Sequence, residues 1–280
     1  MRTFIRFAAV LLIVVASSCS KFSRIQKSTD INEKYKAAVA YYEDEEFYKA
    51  DLLFEEIIPL LKGNQESELA QFYQAYCKYN MGNFIESEYL FKRFYETFSR
   101  SEKAEEAMHM RALSLYEQSP TYELDQTSTL AAITALQTYI NAYPESKRVE
   151  RSTNLLRELR NKLEKKAYEQ ALLYAKIGDY KAAVVAFNNF QRGYPDSDYN
   201  EEIAFLRVQS AYNLAKQSIQ TKKNDRFREA IGYYQSFIDQ YPQSRYVKDA
   251  ERYYSDSVQQ VGGSSANPDL QSSNNGNTNK

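Results

Sequence analysis

The chain has 280 residues, with 36 basic and 37 acidic side chains and a formal net charge of −1. This balance excludes nucleic acid as an expected partner, because proteins that bind it carry an excess of Lys and Arg on one surface. Only eight glycines and six prolines are present, while Ala, Glu, Lys, Leu and Tyr are abundant, which is typical of an all-α fold.

The first residues have the pattern of a secretory signal. Arg2 and Arg6 supply positive charge before an apolar run, Phe7–Val15. Small residues then lead to Cys19. The run is far shorter than the roughly 20 residues that span a bilayer, so we expect residues 1–18 to be a removed leader. An ordinary cleaved signal with an incidental cysteine is the alternative.

The cysteine after the small residues resembles a bacterial lipoprotein signal, although Ala16 stands where that class usually has Leu. The resemblance implies a covalent lipid on Cys19, which becomes the first mature residue, followed by a lipidated tether over residues 19–30. Several acyl chains hold a protein at a membrane stably, whereas one chain does so poorly.

The residues needed for common catalytic and metal sites are scarce. The chain has two cysteines, Cys19 and Cys77, and one histidine, His109. One histidine without neighbouring cysteines gives no zinc spacing and no serine or cysteine triad. If Cys19 is acylated, Cys77 has no disulfide partner, and its helical pattern predicts a small buried residue. We therefore expect no enzyme, no metal and no cofactor apart from the lipid.

A repeated phrase divides the rest of the chain. Tyr-Pro-x-Ser occurs at residues 143–146, 194–197 and 241–244, and a degenerate copy, Phe-Ser-Arg-Ser, occurs at 98–101. Each copy ends a helical pattern, because proline cannot continue a helix and pushes the preceding residue out of the helical region. The phrase predicts the ends of structural repeats.

The pattern within each copy resembles the tetratricopeptide repeat, a helix–turn–helix unit. In the clearest copy, residues 166–195, Ala171 and Ala183 allow two helices to approach, and Gly178 forms the turn between them. The other copies cover about 32–62, 68–99, 101–144 and 200–242, and residues 245–260 form a capping helix. We predict an all-α superhelix of five repeats plus the cap. Its regions are N-terminal repeats (31–99), a third repeat (100–149), C-terminal repeats with the cap (150–260) and a disordered tail (261–280).

Two surfaces are candidates for recognition. In this repeat family the first helices line a groove that binds peptides, and eight residues occupy the matching offsets: Asn32, Tyr35, Val39, Tyr42, Leu69, Phe72, Tyr76 and Tyr79. Tyr offers a large contact area at low entropic cost. The alternative is that these rings pack between repeats.

The third repeat contains an insertion between Ser119 and Thr129, and solenoid insertions often project as binding loops. Its candidate residues are Pro120, Leu124, Asp125 and Gln126, with Pro120 breaking the helix and Asp125 or Thr127 capping the next one. A structural cap without a partner is the alternative.

The signal, the five repeats, the Tyr-Pro-x-Ser endings and the final helix together resemble the BamD family, the lipoproteins of the β-barrel assembly machinery. The third repeat, from Ser119-Pro120 to Tyr139-Ile140, looks like the Bacteroidetes branch. The resemblance implies a non-catalytic protein on the periplasmic face of the outer membrane. Residues 32–99 would bind unfolded outer-membrane proteins, and residues 150–260 would bind the periplasmic domain of a BamA-like barrel protein. Another repeat-containing envelope lipoprotein, a scaffold in cell-wall or division processes, is the alternative.

Overall fold

The computed structural model describes residues 21–265, and every regular element in that part of the chain is helical. The helices are α1 (Ile31–Glu43), α2 (Phe47–Ile57), α3 (Glu66–Asn80), α4 (Phe84–Thr97), α5 (Ala104–Glu117), α6 (Thr127–Ala142), α7 (Val149–Lys176), α8 (Tyr180–Gly193), α9 (Asn200–Lys216), α10 (Gln220–Gln240) and α11 (Val247–Ser265), and a 3-10 turn, Ile58–Leu60, follows α2. The predicted all-α class, with five helix–turn–helix repeats and a capping helix, is confirmed. Within residues 21–265, no helix is long and apolar enough to cross a membrane.

The helices pack as antiparallel pairs whose small residues allow close approach. Ala38 and Ala75 on first helices and Ala50 and Ala183 on second helices are fully buried. Large aromatic side chains fill the space beside them, and Phe187 is likewise fully buried. The second helix of a repeat also packs on the first helix of the next, as α2 does on α3 and α8 on α9. This continuous packing provides the core that a single hairpin lacks.

The described residues form two compact units, and the boundary between residues 160 and 161 falls within α7. In the first unit, Leu156 and Leu159 of α7 join the core beneath α5 and α6. In the second, Tyr168 and Ala171 join the core formed with α8 and α9. The first helix of the fourth repeat therefore begins at Val149 rather than at the predicted residue 166, because no glycine or proline interrupts the helix before Gly178.

The serine that ends each repeat phrase has a structural role. In Ser101, Ser146, Ser197 and Ser244, Oγ accepts the backbone N–H two residues further on, at 3.0–3.2 Å. Three of these hydroxyls also donate to a glutamate on the first helix of the repeat that they close: Glu68, Glu105 and Glu164, respectively. The phrase thus starts the next helix and fixes it to the preceding repeat.

The two ends of the described chain differ from the sequence-based expectation. Residues 21–27, predicted to be part of a tether, form a helical segment in which Ile25 is only 5% exposed and joins the core of the first repeat. The Phe22 ring meets Tyr41 edge-on, with 5.6 Å between centroids. These two apolar residues lie one helical turn apart and bury against the first hairpin. At the other end, α11 continues to Ser265 instead of ending at Gln260. Residues 1–20, including Cys19, and residues 266–280 of the predicted tail lie outside the described residues.

Candidate functional site

The eight predicted groove residues lie on α1 and α3, which we call the first-helix face of the N-terminal repeats. Asn32 is exposed, Tyr35 and Leu69 are half-buried, and Phe72 is buried in the core. Five half-buried side chains pack against the cores of the first two repeats: Tyr35, Val39, Tyr42, Tyr76 and Tyr79. The face is therefore partly occupied by the packing of its own rings, and Asn32 and Leu69 form its more open part.

An aromatic cluster joins the two helices of this face. Tyr42 stacks on Tyr73 with 4.2 Å between ring centroids and an interplanar angle of 19°. Tyr76 meets Phe72 edge-on at 5.0 Å, and Tyr42 lies 6.5 Å from Tyr76. Burial raises the pKa of Tyr42 to about 12, so its hydroxyl stays protonated at neutral pH. The sequence-based set omits Tyr73, although its position next to Phe72 and three residues before Tyr76 is a usable signal.

A charged network continues the face from α3 to the start of α7. The Tyr76 hydroxyl donates to Glu106 on α5, and Arg148 Nη2 lies 3.0 Å from the other oxygen of that carboxylate. Arg148 Nη1 also lies 3.3 Å from Glu105 Oε1, which accepts the Tyr139 hydroxyl at 3.1 Å. The hydrogen bond from Ser146, followed by those from Tyr139 and Arg148, lowers the pKa of Glu105. The network fixes α3, α5 and α6 relative to one another.

Lys103 adds a positive charge at the edge of this network. Its Nζ lies 5.2 Å from the centroid of the Phe72 ring, within the range of a cation–π interaction. The face therefore combines aromatic surface, a partly exposed cation and carboxylates that are already paired. Such a surface suits binding of a polypeptide segment and provides no acid–base pair aimed at a common point.

His109 lies behind this network and is buried, with 3% exposure. Its ring centroid is 5.0 Å from that of Tyr139, and its Nε2 has no hydrogen-bond partner among the described residues. Burial, followed by the charges of Arg148 and Arg151, lowers the pKa of His109 to about 4. The imidazole is therefore neutral at physiological pH and acts as a core residue.

Cys77 is buried as a free cysteine within the first repeats. Burial, followed by the Asp51 charge, raises the pKa of this thiol to about 12, so the reactive thiolate is absent at neutral pH. In the part of the chain from residue 21 to residue 265, no group of three His, Cys, Asp or Glu residues is arranged to hold a metal ion.

Tyrosine–carboxylate pairs link successive first helices in both units. A tyrosine hydroxyl donates to an acidic side chain on the next first helix or on the cap in four pairs: Tyr76–Glu106, Tyr116–Glu158, Tyr168–Glu202 and Tyr212–Asp256. At least four of the 25 tyrosines therefore connect repeats, as the packing alternative predicts.

The insertion loop between α5 and α6 is braced by its own polar groups. Gln126 is buried, and its Nε2 donates to the carbonyls of Thr121 and Leu124 at 2.8 and 2.9 Å. Asp125 accepts the backbone N–H of Thr127 at 2.9 Å, and Pro120 is half-buried. Leu124 is 59% exposed, so the loop presents one apolar side chain on a fixed backbone.

The second unit exposes apolar side chains near the end of its first hairpin. Leu173, Tyr174 and Ile177 near the end of α7 are 54%, 42% and 66% exposed, and Val185 on α8 is 54% exposed. These side chains are accessible to another protein.

The comparison with family models covers both units. A family described as "YfiO: Outer membrane lipoprotein" matches residues 27–202 and again residues 171–256. The overlap of the two matches is consistent with internal repeats. The match supports the resemblance to the BamD family, whereas the Bacteroidetes-like branch stays a prediction. No curated protein matches the chain. The chain belongs to the YfiO family of outer-membrane lipoproteins.

Proposed function

We propose that this protein is a non-catalytic, lipid-anchored scaffold of the outer-membrane β-barrel assembly complex. It is held on the periplasmic face by acyl chains on Cys19, it binds segments of unfolded outer-membrane proteins, and it binds the periplasmic domain of a BamA-like barrel protein. The observation that carries this proposal is the family match, which extends through both units, from residue 27 to residue 256.

The N-terminal repeats are assigned to the unfolded substrate. Support comes from the first-helix face, where Asn32 is exposed, Leu69 is half-buried, and Tyr35 is half-buried while it packs against the first core. Burial, followed by the charges of Glu66 and Tyr73, raises the pKa of Tyr35, so this ring lies near α3 and is uncharged. An extended segment rich in aromatic residues would find apolar area and hydroxyl groups there.

A peptide titration tests this assignment. A double variant, Tyr35→Ala with Leu69→Ala, should weaken binding of a synthetic C-terminal segment of an outer-membrane β-barrel protein about tenfold or more, because it removes two central apolar contacts. Tyr48→Ala is the matched control, since Tyr48 is 67% exposed on the second helix α2. Equal affinity of wild type and double variant, with unchanged helical circular dichroism, would remove the substrate site from this face.

The C-terminal repeats are assigned to the barrel protein. Support comes from the exposed apolar side chains of Leu173, Ile177 and Val185. Purification of the tagged protein from envelope membranes should recover a large β-barrel protein with periplasmic domains. Recovery of cell-wall or division proteins alone would favour the alternative scaffold function.

Mass spectrometry of the mature N-terminus should find acyl chains on Cys19, and an unmodified N-terminus would contradict the anchor.

A further inference from the structure

Lys78 and Arg111 are basic residues on first helices, and each is paired with carboxylates on second helices. Lys78 on α3 lies 2.9 Å from Asp51 and 3.0 Å from Glu55 on α2, and 2.8 Å from Glu86 on α4. Arg111 on α5 donates from Nε to Glu88 on α4 at 2.8 Å. A buried or half-buried cation normally has such a partner.

Arg207 on α9 is the counterpart of Arg111 in the second unit, since each lies ten residues after the serine of its turn phrase. The place of Glu88, thirteen residues before that serine, is taken by the apolar Val184. Arg207 therefore lacks the carboxylate that Arg111 has. None of the ion pairs found among residues 21–265 involves Arg207.

The surroundings of Arg207 hold its guanidinium without neutralising it. Nη1 donates to Asn188 Oδ1 on α8 at 2.9 Å, and the guanidinium carbon lies 4.6 Å from the centroid of the Tyr233 ring on α10. Asn188 Nδ2 in turn donates to the Tyr233 hydroxyl at 3.2 Å. Nε is buried and has no hydrogen-bond partner among the described residues.

The surroundings also disfavour the charge of this group, because burial lowers the pKa of Arg207. Arg207, Asn188 and Tyr233 are all half-buried rather than sealed in the core, so a group from outside can approach. The buried Nε is out of reach of such a group, but the outer N–H donors of a planar, oriented guanidinium match a carboxylate.

We propose that Arg207, oriented by Asn188 and Tyr233, is a docking site for a carboxylate side chain of a partner protein. The identity of that partner, the periplasmic domain of the barrel protein, rests on the proposed function, whereas the chemistry of the site does not. The carboxylate supplies the counter-charge that Glu88 supplies to Arg111 and that the buried, apolar Val184 cannot supply to Arg207.

The site chemistry is tested without the partner, on the full mature chain, by following the guanidinium signal of Arg207 by NMR. A capped tripeptide with a central glutamate should shift this signal saturably at millimolar concentrations, and the same peptide with glutamine should not. Absence of a shift with the glutamate peptide overturns the proposal. A stronger response to inorganic phosphate or to anionic phospholipid vesicles overturns it as well, because the site would then bind phosphate groups.

Binding of the barrel protein's periplasmic domain is measured separately. Arg207→Gln should weaken it about tenfold or more, because the partner's carboxylate loses its cation. Arg192→Gln, an exposed arginine on α8, is the matched control and should bind like wild type. If wild type does not bind the domain, the proposed partner is wrong. If wild type and Arg207→Gln bind it equally, the docking site is wrong.

A stability comparison separates docking from a structural role. Arg207→Met gives up the cation–π contact with Tyr233 but also removes a half-buried charge without an ionic partner, so its Tm should stay the same or rise. Arg111→Met leaves Glu88 without its cation and should lower the Tm by several degrees. An equal fall in Tm for both variants, together with unchanged partner binding, would make Arg207 a structural residue only.

Discussion

At the scale of single residues, the Lys78 cluster is the clearest case of a buried charge with internal compensation. Lys78 is 9% exposed and Asp51 4% exposed, and the lysine contacts three carboxylates. Lys78→Met should lower the free energy of unfolding by about 3–5 kcal/mol, because it leaves Asp51 buried without a cation. Urea denaturation at pH 7 measures the loss.

A double variant provides the control for this prediction. Asp51→Asn combined with Lys78→Met removes both buried charges and should recover more than half of the loss. Lys36→Met, at an exposed position on α1, should stay within about 0.5 kcal/mol of wild type. If the double variant is as unstable as Lys78→Met, the loss arises from packing rather than from the unpaired carboxylate.

His109 makes stability depend on pH in the mildly acidic range. Its pKa is about 4 in the folded protein and about 6.5 when unfolded, so protons bind the unfolded chain first as pH falls. The stability contributed by the neutral imidazole is complete above pH 6.5 and is lost toward pH 4, with about 2 kcal/mol gone at pH 5.

The comparison variant for this prediction is His109→Gln, which cannot titrate. Between pH 7 and pH 5 its free energy of unfolding should fall less than that of wild type by about 2 kcal/mol. The pKa of Glu105 is lowered in the folded protein, so its contribution to the free energy of unfolding also falls on acidification. This loss is common to both proteins. Parallel pH profiles would mean that His109 is solvated and takes up protons in the folded state.

At the scale of elements, the turn phrase predicts a graded effect. Ser197 both starts α9 and donates to Glu164, whereas Ser244 makes only the turn hydrogen bond among the described residues. Ser197→Ala should therefore cost about 2–3 kcal/mol and Ser244→Ala about 1 kcal/mol, by chemical denaturation. A larger cost at Ser244 would contradict the role given to Glu164.

Local signals explain why the helices and their turns are predictable from the sequence. Gly178 adopts a φ of +82°, and Asp179 Oδ1 accepts the backbone N–H of Ala182 at 3.0 Å. Glycine in a left-handed turn and aspartate at a helix start act within a few residues of the chain, so their pattern can be read directly. The same reasoning holds for the Tyr-Pro-x-Ser turns.

The features that sequence analysis misses depend on residues far apart in the chain. Tyr73 belongs to the site because it stacks on Tyr42, and Arg148 belongs to it because it pairs with Glu106. No local sequence pattern indicates which tyrosines stack on one another and which are exposed to solvent. The burial of Ile25 likewise depends on the first hairpin, which only the folded chain provides.

At the scale of the whole molecule, both units rely on neutral tyrosine hydroxyls that donate to carboxylates. Burial, followed by the bond to Asp256, raises the pKa of Tyr212 to about 12, and Tyr116 is raised to about 12 in the first unit by burial and Glu158. Above pH 10 the unfolded chain releases these protons first, so stability is complete below pH 10 and is lost as pH rises toward 12. The pKa of Lys78 is also raised in the folded protein, so its contribution to stability is likewise lost as pH rises.

Tyr212→Phe measures how much one of these tyrosines contributes to the loss of stability at alkaline pH. The variant keeps the ring but cannot titrate, so between pH 10 and 11 its free energy of unfolding should fall less steeply than that of wild type, by at most about 1.4 kcal/mol per pH unit. At pH 8 it should be less stable, because Asp256 loses a hydrogen bond. Tyr48→Phe, on an exposed ring, should follow the wild-type profile. Identical alkaline slopes for Tyr212→Phe and wild type would mean that the tyrosine–carboxylate pairs do not set the alkaline limit of this fold.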